Sequence, residues 1–484
     1  MKKTILYSLV VSIVLLLTVS CEDFLDKQPY TAVSDQVALA TLADCETALN
    51  GVYASIRGRY LSEGLSVYDI MTDNVVVPAS WRNTYLQAYR YDFSADNDVM
   101  YNLWFNAYIC IARANNILEV IDSKEGDEAA KKRIKGACLT ARAWAHFDLI
   151  RAFAKPYDPV TASSDPGVPY VFTTTLDMKT RNTVQEVYDY LIADLRTVVD
   201  EQLLTGSNIN YLTDAAARLL LSRAYLYVGE DQSVIQEYTN FQALYASTYG
   251  VETDTAEFRK VWTDDTGKEI IFRIPIASNE FLLSRSMRNF WLGDDQPGGA
   301  KPEFIPTKNG TNGLYDMYEP GDARVKIFFS DMETAKEGTQ TLVYKYMGNA
   351  TLASSYNINE LKIFRYPELV LNYAEALART GNSNAVGAVN SIRQARLATP
   401  YVSFADRNDA LEKIYLERRL EYCFEGHYWH DMKRYKKGFE RVTQPGAHPT
   451  MAALTVSPED FHWVWPIPVE EINGNTIIEQ NPGY

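Results

Sequence analysis

The sequence predicts a mainly α-helical protein in which a scaffold of packed helices carries two long, irregular insertions. Three observations support this fold class. Apolar residues recur at steps of three and four over several long segments, whereas the regions near residues 60–100 and 255–360 lose that period. The composition, 46% hydrophobic and 23% charged, is that of a globular protein with a sizeable core. A chain of 484 residues is long enough to form one large domain.

The helical period is clearest in two segments of the first half. In "KGACLTARAWAHFDLIRAFAKPYDP", the apolar positions from Leu139 to Ala154 form one stripe, and Pro156 is expected to stop the helix. In "DAAARLLLSRAYLYVGE", Asp214 is the candidate N-cap and Gly229 the candidate stop. Such stripes must be buried against neighbouring helices, which indicates a layered helical scaffold.

The segment "RYPELVLNYAEALARTGNSNAVGAVNSIRQAR" predicts two helices around a turn at residues 380–382, and it resembles a tetratricopeptide unit. We therefore predict a tetratricopeptide-like scaffold over about residues 40–255 and 361–430. Within the second insertion, "EIIFRIPIA" and "TLVYKYMG" indicate short strands. Since long insertions on a rigid frame commonly carry binding residues, both insertions are predicted to face a ligand.

The N-terminus indicates export. An apolar run, Ile5–Val19, follows two lysines and is too short to span a membrane, as in a secretory signal. Ser20 is followed directly by Cys21, which resembles a bacterial lipoprotein signal, where the cysteine is acylated and becomes the first mature residue. We predict a signal peptide over residues 1–20 and a lipid anchor at Cys21, with residues 21–484 forming a single domain. Ordinary secretion is the alternative.

The net charge bears on the class of partner, and the spacing of the cysteines bears on metal binding and disulfides. The formal net charge of −15 argues against nucleic acid, which requires basic surfaces. The remaining cysteines lie far apart without metal-ligand spacing, at positions 45, 110, 138 and 423. Cys110 and Cys138 fall in apolar helical patterns, which predicts buried free thiols, with one disulfide as the alternative.

The sequence points to no catalytic residue, metal or cofactor. It contains no nucleophile elbow, phosphate-binding loop or nucleotide-binding glycine pattern. In "EGHYWHD", His427, His430 and Asp431 lie within one helical turn, but the pattern is not that of a zinc protease, and helix packing is favoured. In "SADND", a helix cap is favoured over a calcium site at Asp96 and Asp98. With 62 acidic residues, a glycosidase carboxylate pair is an alternative, but the sequence points to no particular pair.

One segment, "EKIYLERRLEYCFEGHYWHDMKRYKKG", is dense in charge. Glu417, Glu421 and Glu425 are spaced four residues apart and would repel one another on an isolated helix. Arg418 and Arg419 stand between them. We predict that ion pairs tie this helix to its neighbours, with a ligand site as the alternative.

Several motifs resemble those of the SusD/RagB family of Bacteroidetes outer-membrane lipoproteins. The specific one is the C-terminal "WPIPVEEINGNTIIEQNPGY". The less specific "ERRLEYCFEGHYWHDMKRY", "CEDFLDKQP", "LWFNAYICIARANNILEVID", "YEPGDARVKIFF" and "RYPELVLNYAEAL" extend the similarity along the mature chain. The resemblance implies one domain with four tetratricopeptide-like helix pairs and no enzymatic activity. It also implies a lipid-anchored protein on the exterior of the outer membrane, which captures glycans for a SusC-like TonB-dependent transporter. Peptide capture by the same architecture is the alternative.

A glycan binder needs flat aromatic rings beside polar side chains, because a sugar has apolar faces and polar edges. The chain is rich in tyrosine, with 33 Tyr against 19 Phe and 8 Trp. The candidates are Trp81, Arg82, Asn83 and Tyr85 in the first insertion, and Arg288, Asn289 and Trp291 in the second. For both tryptophans, ordinary packing is the alternative to ligand contact.

Overall fold

The computed structural model describes residues 39–80, 85–175, 177–277, 287–293, 300–349 and 359–484. Four of the residues singled out above, Cys21, Trp81, Arg82 and Asn83, lie outside these ranges.

Helices dominate the described chain, as the sequence predicts. The helices of the first half are α1 Leu42–Arg59, α2 Ser66–Ile70, α3 Leu86–Arg90, α4 Asp98–Leu118, α5 Glu128–Phe153, α6 Val184–Asp200, α7 Asp214–Val228 and α8 Asp231–Tyr245. Those of the second half are α9 Thr255–Thr263, α10 Met287–Leu292, α11 Ala323–Phe328, α12 Tyr366–Arg379, α13 Ala385–Ala395, α14 Arg407–Tyr422, α15 Tyr428–Arg434 and α16 Val469–Gly474.

The strands form short antiparallel ribbons. The pairs are β1 Val75–Val76 with β3 Ile305–Pro306, β2 Ile270–Ile274 with β6 Leu361–Arg365, β4 Phe329–Thr334 with β5 Gly338–Val343, and β7 Phe439–Arg441 with β8 Leu454–Val456. The predicted strands in "EIIFRIPIA" and "TLVYKYMG" correspond to β2 and to the end of β5. Ribbon β1–β3 joins the two insertions, because one strand comes from each.

The long helices pack side by side in a continuous array. Helix α4 packs on α1 and α5, α6 lies between α5 and α7, and α8 packs on both α7 and α12. The array ends with α13 and α14, which both pack on α12. Consecutive helices thus bury their apolar stripes against one another, which confirms the predicted mainly α-helical, tetratricopeptide-like scaffold.

Local capping explains where α7 begins and ends. The hydroxyl of Thr213 accepts a hydrogen bond from the backbone N–H of Ala216 at 3.3 Å, so Thr213 is the N-cap. The prediction of Asp214 as the cap was wrong: it is the first helical residue, and its carboxylate binds the Arg218 guanidinium at 2.7 Å. Gly229 ends the helix as predicted, with φ of 79°, a left-handed conformation that glycine adopts without steric cost.

The core of the described residues consists of one large and two smaller hydrophobic clusters, and the cysteines of these residues are reduced. Cys45, Cys110, Cys138 and Cys423 are all buried and free, which confirms the interpretation of Cys110 and Cys138 as buried thiols. Across the described ranges, no helix has both the length and the apolar character required to cross a lipid bilayer.

The predicted ion pairs of α14 form a buried network, here called the arginine–glutamate cluster. Its members are Glu269, Arg324, Lys345, Arg365, Arg393, Arg396, Glu417, Glu421 and Glu425. Glu421 binds both Arg365 at 2.9 Å and Arg396 at 2.8 Å, and Glu269 binds the same two arginines at 3.0 and 2.7 Å. The four-residue spacing of the glutamates is therefore tolerated because cations from other elements separate them.

The buried carboxylate of Glu375, outside this cluster, makes the free energy of unfolding depend on pH. Burial opposes the ionisation of Glu375, but Arg434 and Arg379 outweigh it and lower its pKa to about 2. Since the folded pKa lies below the ordinary value of 4.5, this stabilisation is present above pH 4.5 and is lost as pH falls towards 2. Asp69 has the opposite effect. Because burial raises its pKa to about 6, its contribution to the free energy of unfolding increases as pH falls from about 6 to 4.

We therefore expect the free energy of unfolding to fall between pH 4.5 and 2.5, with Glu375 contributing up to about 3 kcal/mol. Urea unfolding at several pH values measures this slope. Glu375→Gln removes the titrating group, so its slope over the same interval should be smaller than that of the natural protein. Equal slopes in the two proteins would contradict the assignment.

Candidate functional site

The structure brings parts of the two predicted ligand-facing segments together. The ring of Tyr85, in the first insertion, lies 5.8 Å from the ring of Phe290 in α10, measured between centroids, with an angle of 50° between the planes. Tyr85 is half-buried and Phe290 is 7% exposed. The contact places the polypeptide that follows residue 84 against the helix that carries Arg288 and Asn289.

Tyr85 is held in an uncommon backbone conformation. Its φ is 55°, and Tyr91, at the other end of the single short helix α3, has the same value. Left-handed conformations are rare for bulky residues and persist where the surroundings impose them. Here Tyr89 supplies an anchor, because its ring is fully buried and its hydroxyl donates a hydrogen bond to the Ala452 carbonyl at 3.1 Å.

Further rings extend this contact into what we call the aromatic row, formed by Tyr85, Phe290, Phe304 and Tyr89. Phe304 stacks on Phe290 at 5.8 Å and approaches Tyr89 at 5.4 Å. Pairing of β1 with β3, in which Val76 lies opposite Ile305, joins the two insertions directly after Phe304 in the chain. Phe290 and Phe304 were not among the residues predicted from the sequence, although both stand in short motifs with aromatic residues, "RNFWLG" and "PEFIP", inside the second insertion.

Trp291 does not fit the ligand role predicted for it. Its side chain is 0% exposed, and its ring lies 4.8 Å from Phe290 and 4.9 Å from Phe424. A ring enclosed in this way has no free face to stack on a sugar. The structure corrects this prediction in favour of the packing alternative.

The polar candidates on α10 differ in accessibility. Arg288 is 6% exposed, and its backbone N–H donates a hydrogen bond to the Asn359 side-chain oxygen at 3.1 Å. Asn289 is half-buried. It flanks Phe290 on α10 and is the more accessible of the two polar candidates.

A second aromatic and polar surface lies on the helical scaffold. A cavity of about 330 Å³ is lined by Tyr53, Tyr211, Asn50, Asn208 and Ser207, among other residues. Tyr211 is 51% exposed and meets Tyr53 edge-on at 5.5 Å. The sequence analysis missed this cavity, because its two tyrosines lie far apart in the chain.

The histidine motif packs in the core. The ring of His430 lies 4.3 Å from that of Tyr68, and Asp431 binds the Arg418 guanidinium at 2.9 Å, which favours the helix-packing interpretation of "EGHYWHD". In "SADND", Asn97 is the residue that caps α4, through hydrogen bonds from two backbone N–H groups. The described residues contain no grouping of His, Cys, Asp and Glu suited to a metal ion.

Two family models match this chain in separate regions. The model described as "SusD family" matches residues 330–484. The model described as "Starch-binding associating with outer membrane" matches residues 23–226. Together the two matches cover about three quarters of the chain, and they include the C-terminal motifs and the segment from residue 23 onwards.

Individual relatives are similar over nearly the full length. The chain is 24% identical to SusD-like protein P2 of Formosa agariphila, with 98% of each chain covered. Its fold matches the crystal structure of a SusD superfamily protein from Bacteroides thetaiotaomicron with a TM-score of 0.80 and 24% identity, covering 91% of this chain and 100% of that one. It also matches surface glycan-binding protein A from Bacteroides uniformis, with a TM-score of 0.72, 20% identity, and coverage of 91% and 99%.

Proposed function

Because this chain belongs to the SusD family, we propose that it is a carbohydrate-binding protein of the outer membrane that captures oligosaccharides or polysaccharides. The starch-binding, outer-membrane description of the model that matches residues 23–226 supports this proposal. We further propose that residues 21–484 act as one domain, anchored through acylated Cys21 and facing the cell exterior. In this proposal it catalyses no reaction and passes the glycan to a SusC-like TonB-dependent transporter.

The observation that carries the proposal is the meeting of the two insertions at Tyr85 and Phe290. Tyr85 combines a partly accessible ring with a hydroxyl, and Asn289 lies on the same helix as Phe290. A sugar ring stacks its C–H face on an aromatic ring and exchanges its water hydrogen bonds for amide and hydroxyl groups. We propose that Trp81, Arg82 and Asn83, which stand two to four residues before Tyr85, complete the site.

Affinity at such a site is expected to be moderate. Part of the stacking gain is offset by the desolvation of sugar hydroxyls and the ordering of the chain. We expect Kd values of roughly 1 μM to 1 mM, or about 4 to 8 kcal/mol. Many anchored copies that bind one polysaccharide would raise the effective affinity.

We expect Tyr85→Ala to weaken glycan binding about tenfold, because it removes the accessible ring of the site. Titration calorimetry of residues 22–484 against plant, host and microbial polysaccharides measures this. Tyr211→Ala is the matched control: it removes an exposed tyrosine from the other cavity and should leave binding unchanged.

The reverse result, in which Tyr211→Ala abolishes binding and Tyr85→Ala does not, would move the site to the cavity on the scaffold. A peptide digest provides a further arm of the same experiment. Heat from the peptides without heat from any glycan would overturn glycan capture in favour of peptide capture.

A further inference from the structure

A cavity of about 340 Å³ lies where the end of α5 meets α6, α7 and α15, and we call it the basic pocket. It is distinct from the aromatic row and from the cavity at Tyr211. Its basic lining side chains are Arg151, Lys155, Arg379, His430, Lys433 and Arg434. Lys155 and Gly229 are exposed, so the pocket opens to solvent on their side. Its volume falls within the range typical of small-molecule sites.

The charge of the lining contrasts with that of the chain. The protein carries a formal net charge of −15, yet no aspartate or glutamate belongs to the described lining of this pocket. The carboxylates that bind its cations stand outside that lining. Asp148 binds Arg151 at 2.6 Å, Glu375 and Asp431 bind Arg434 at 2.6 and 2.9 Å, and Asp165 binds Lys155 at 2.9 Å. Glu375 and Asp231 also bind Arg379, at 2.5 and 3.5 Å.

Among the lysines and arginines that line the pocket, Lys433 has the least charge compensation from carboxylates. Its ammonium group donates hydrogen bonds to the backbone carbonyls of Arg151 at 2.6 Å and Ala152 at 3.3 Å, at the end of α5. No carboxylate of a described residue forms a salt bridge with it, although the side chain is only 6% exposed. Burial, followed by repulsion from Arg151, lowers the pKa of Lys433 well below its usual range. An anion beside the ammonium group would relieve that repulsion.

His430 adds an unused polar group. The residue is 2% exposed, lines the pocket, and has no hydrogen-bond partner for either ring nitrogen among the described residues. Buried polar atoms are normally satisfied, since leaving one unpaired costs stability. Burial, with further contributions from Arg151 and Lys433, lowers the pKa of His430 well below its usual range, so the neutral ring offers one donor and one acceptor.

Aromatic rings complete the enclosure. The ring of Tyr227 lies between two guanidinium groups, that of Arg151 at 5.9 Å and that of Arg434 at 5.5 Å from its centroid. Tyr188 and Tyr157 meet edge-on at 5.6 Å in another part of the lining. Rings of this kind hold guanidinium groups in place and offer apolar contact to the carbon atoms of an organic ligand.

We infer that the basic pocket binds a small organic molecule bearing a carboxylate or sulfate group. The anionic group is held near Lys433, Arg151 and Arg434, while His430 hydrogen-bonds to the polar part of the ligand and the tyrosines contact its carbon skeleton. This site is separate from the proposed glycan site, and either one can exist without the other. An acidic sugar and a free inorganic anion share the required charge, and the test below distinguishes them.

Titration of the full mature chain with D-glucuronate, D-glucose and inorganic sulfate tests the inference. We expect glucuronate to bind in the millimolar range, glucose to produce no signal, and sulfate to bind more weakly because it lacks a carbon skeleton. Lys433→Met keeps the side-chain stem but removes the ammonium group, and should weaken glucuronate binding at least tenfold. Lys413→Met, which removes a lysine that pairs with Asp409 away from the pocket, should leave it unchanged.

Because Lys433 also donates hydrogen bonds to two backbone carbonyls, its substitution disturbs packing as well as charge. A second variant therefore tests the charge alone. Lys155→Met removes a cation whose side chain is 58% exposed at the rim, and should weaken binding about threefold without altering the melting temperature. Absence of glucuronate binding to the folded natural protein would overturn the inference. Equal affinity for glucuronate in Lys433→Met, Lys155→Met and the control Lys413→Met would also overturn it. Equal affinity for glucuronate and sulfate would assign the pocket to free inorganic anions. Tyr85→Ala should not affect glucuronate binding, so failure of the glycan proposal remains distinguishable.

Discussion

Glu421→Gln is expected to lower the free energy of unfolding by about 3 to 5 kcal/mol, the range typical of removing one partner from a buried ion pair. Glu421 is 0% exposed and binds Arg365, Arg396 and, at 3.4 Å, Arg324. Burial opposes its ionisation, but Arg396 and Arg365 outweigh that and hold its pKa well below the usual range. Glutamine would leave the positive charges of these guanidinium groups buried with one negative charge fewer to balance them. Urea or thermal unfolding measures the loss.

Helix α14 itself offers the matched control. Glu412 lies on the same helix and binds Lys437 at 2.8 Å, but its side chain is 60% exposed. Because water screens such a pair, Glu412→Gln should cost at most about 1 kcal/mol. Similar losses for the two variants would show that the buried cluster contributes no more than a surface salt bridge.

The arginine–glutamate cluster also has a consequence for the proposed glycan site. Arg324 belongs to α11, Arg365 ends β6, and Glu269 directly precedes β2. All three residues lie in the second insertion or at its borders, and all three belong to the cluster centred on α14. The cluster therefore joins the base of the second insertion, which we propose to face the ligand, to the helical scaffold. It fixes the position of the insertion without being part of the binding surface.

Trp291→Ala is expected to lower the free energy of unfolding by about 3 to 5 kcal/mol, as is typical when a large buried ring is removed. The indole is fully enclosed, with Phe290 and Phe424 against it, so its loss leaves a cavity in the core. The glycan affinity of the fraction that remains folded should be close to that of the natural protein. Denaturant titration measures the first quantity and calorimetry below the melting temperature the second.

Phe105→Ala serves as the control for ring removal at the surface. Phe105 lies on α4, is 47% exposed, and should cost about 1 kcal/mol or less. If Trp291→Ala abolished glycan binding while unfolding at the same denaturant concentration as the natural protein, the indole would be a ligand contact and its assignment to the core would be wrong.

The sequence by itself determined the fold class and the long helices. The three-to-four-residue period predicts the long helices, since any stable helix must bury its apolar stripe. Gly229 and the "EIIFRIPIA" run likewise marked a helix end and a strand correctly, because both signals depend on local conformation. The ion pairs of α14 were also predictable, since glutamates four residues apart require cations between them. Specific C-terminal motifs, such as "WPIPVEEINGNTIIEQNPGY", indicated the family.

Only the tertiary structure decided which side chains meet and which remain accessible. Trp291 and Tyr85 look alike in sequence, each an aromatic residue beside arginine and asparagine. A helix of six residues, such as α10, shows no period from which a buried side can be read. The approach of Tyr85 to Phe290 depends on the pairing of β1 with β3, a contact between distant segments. The basic pocket is likewise invisible in the sequence, because its cations come from separate helices and become a site only where those helices pack together.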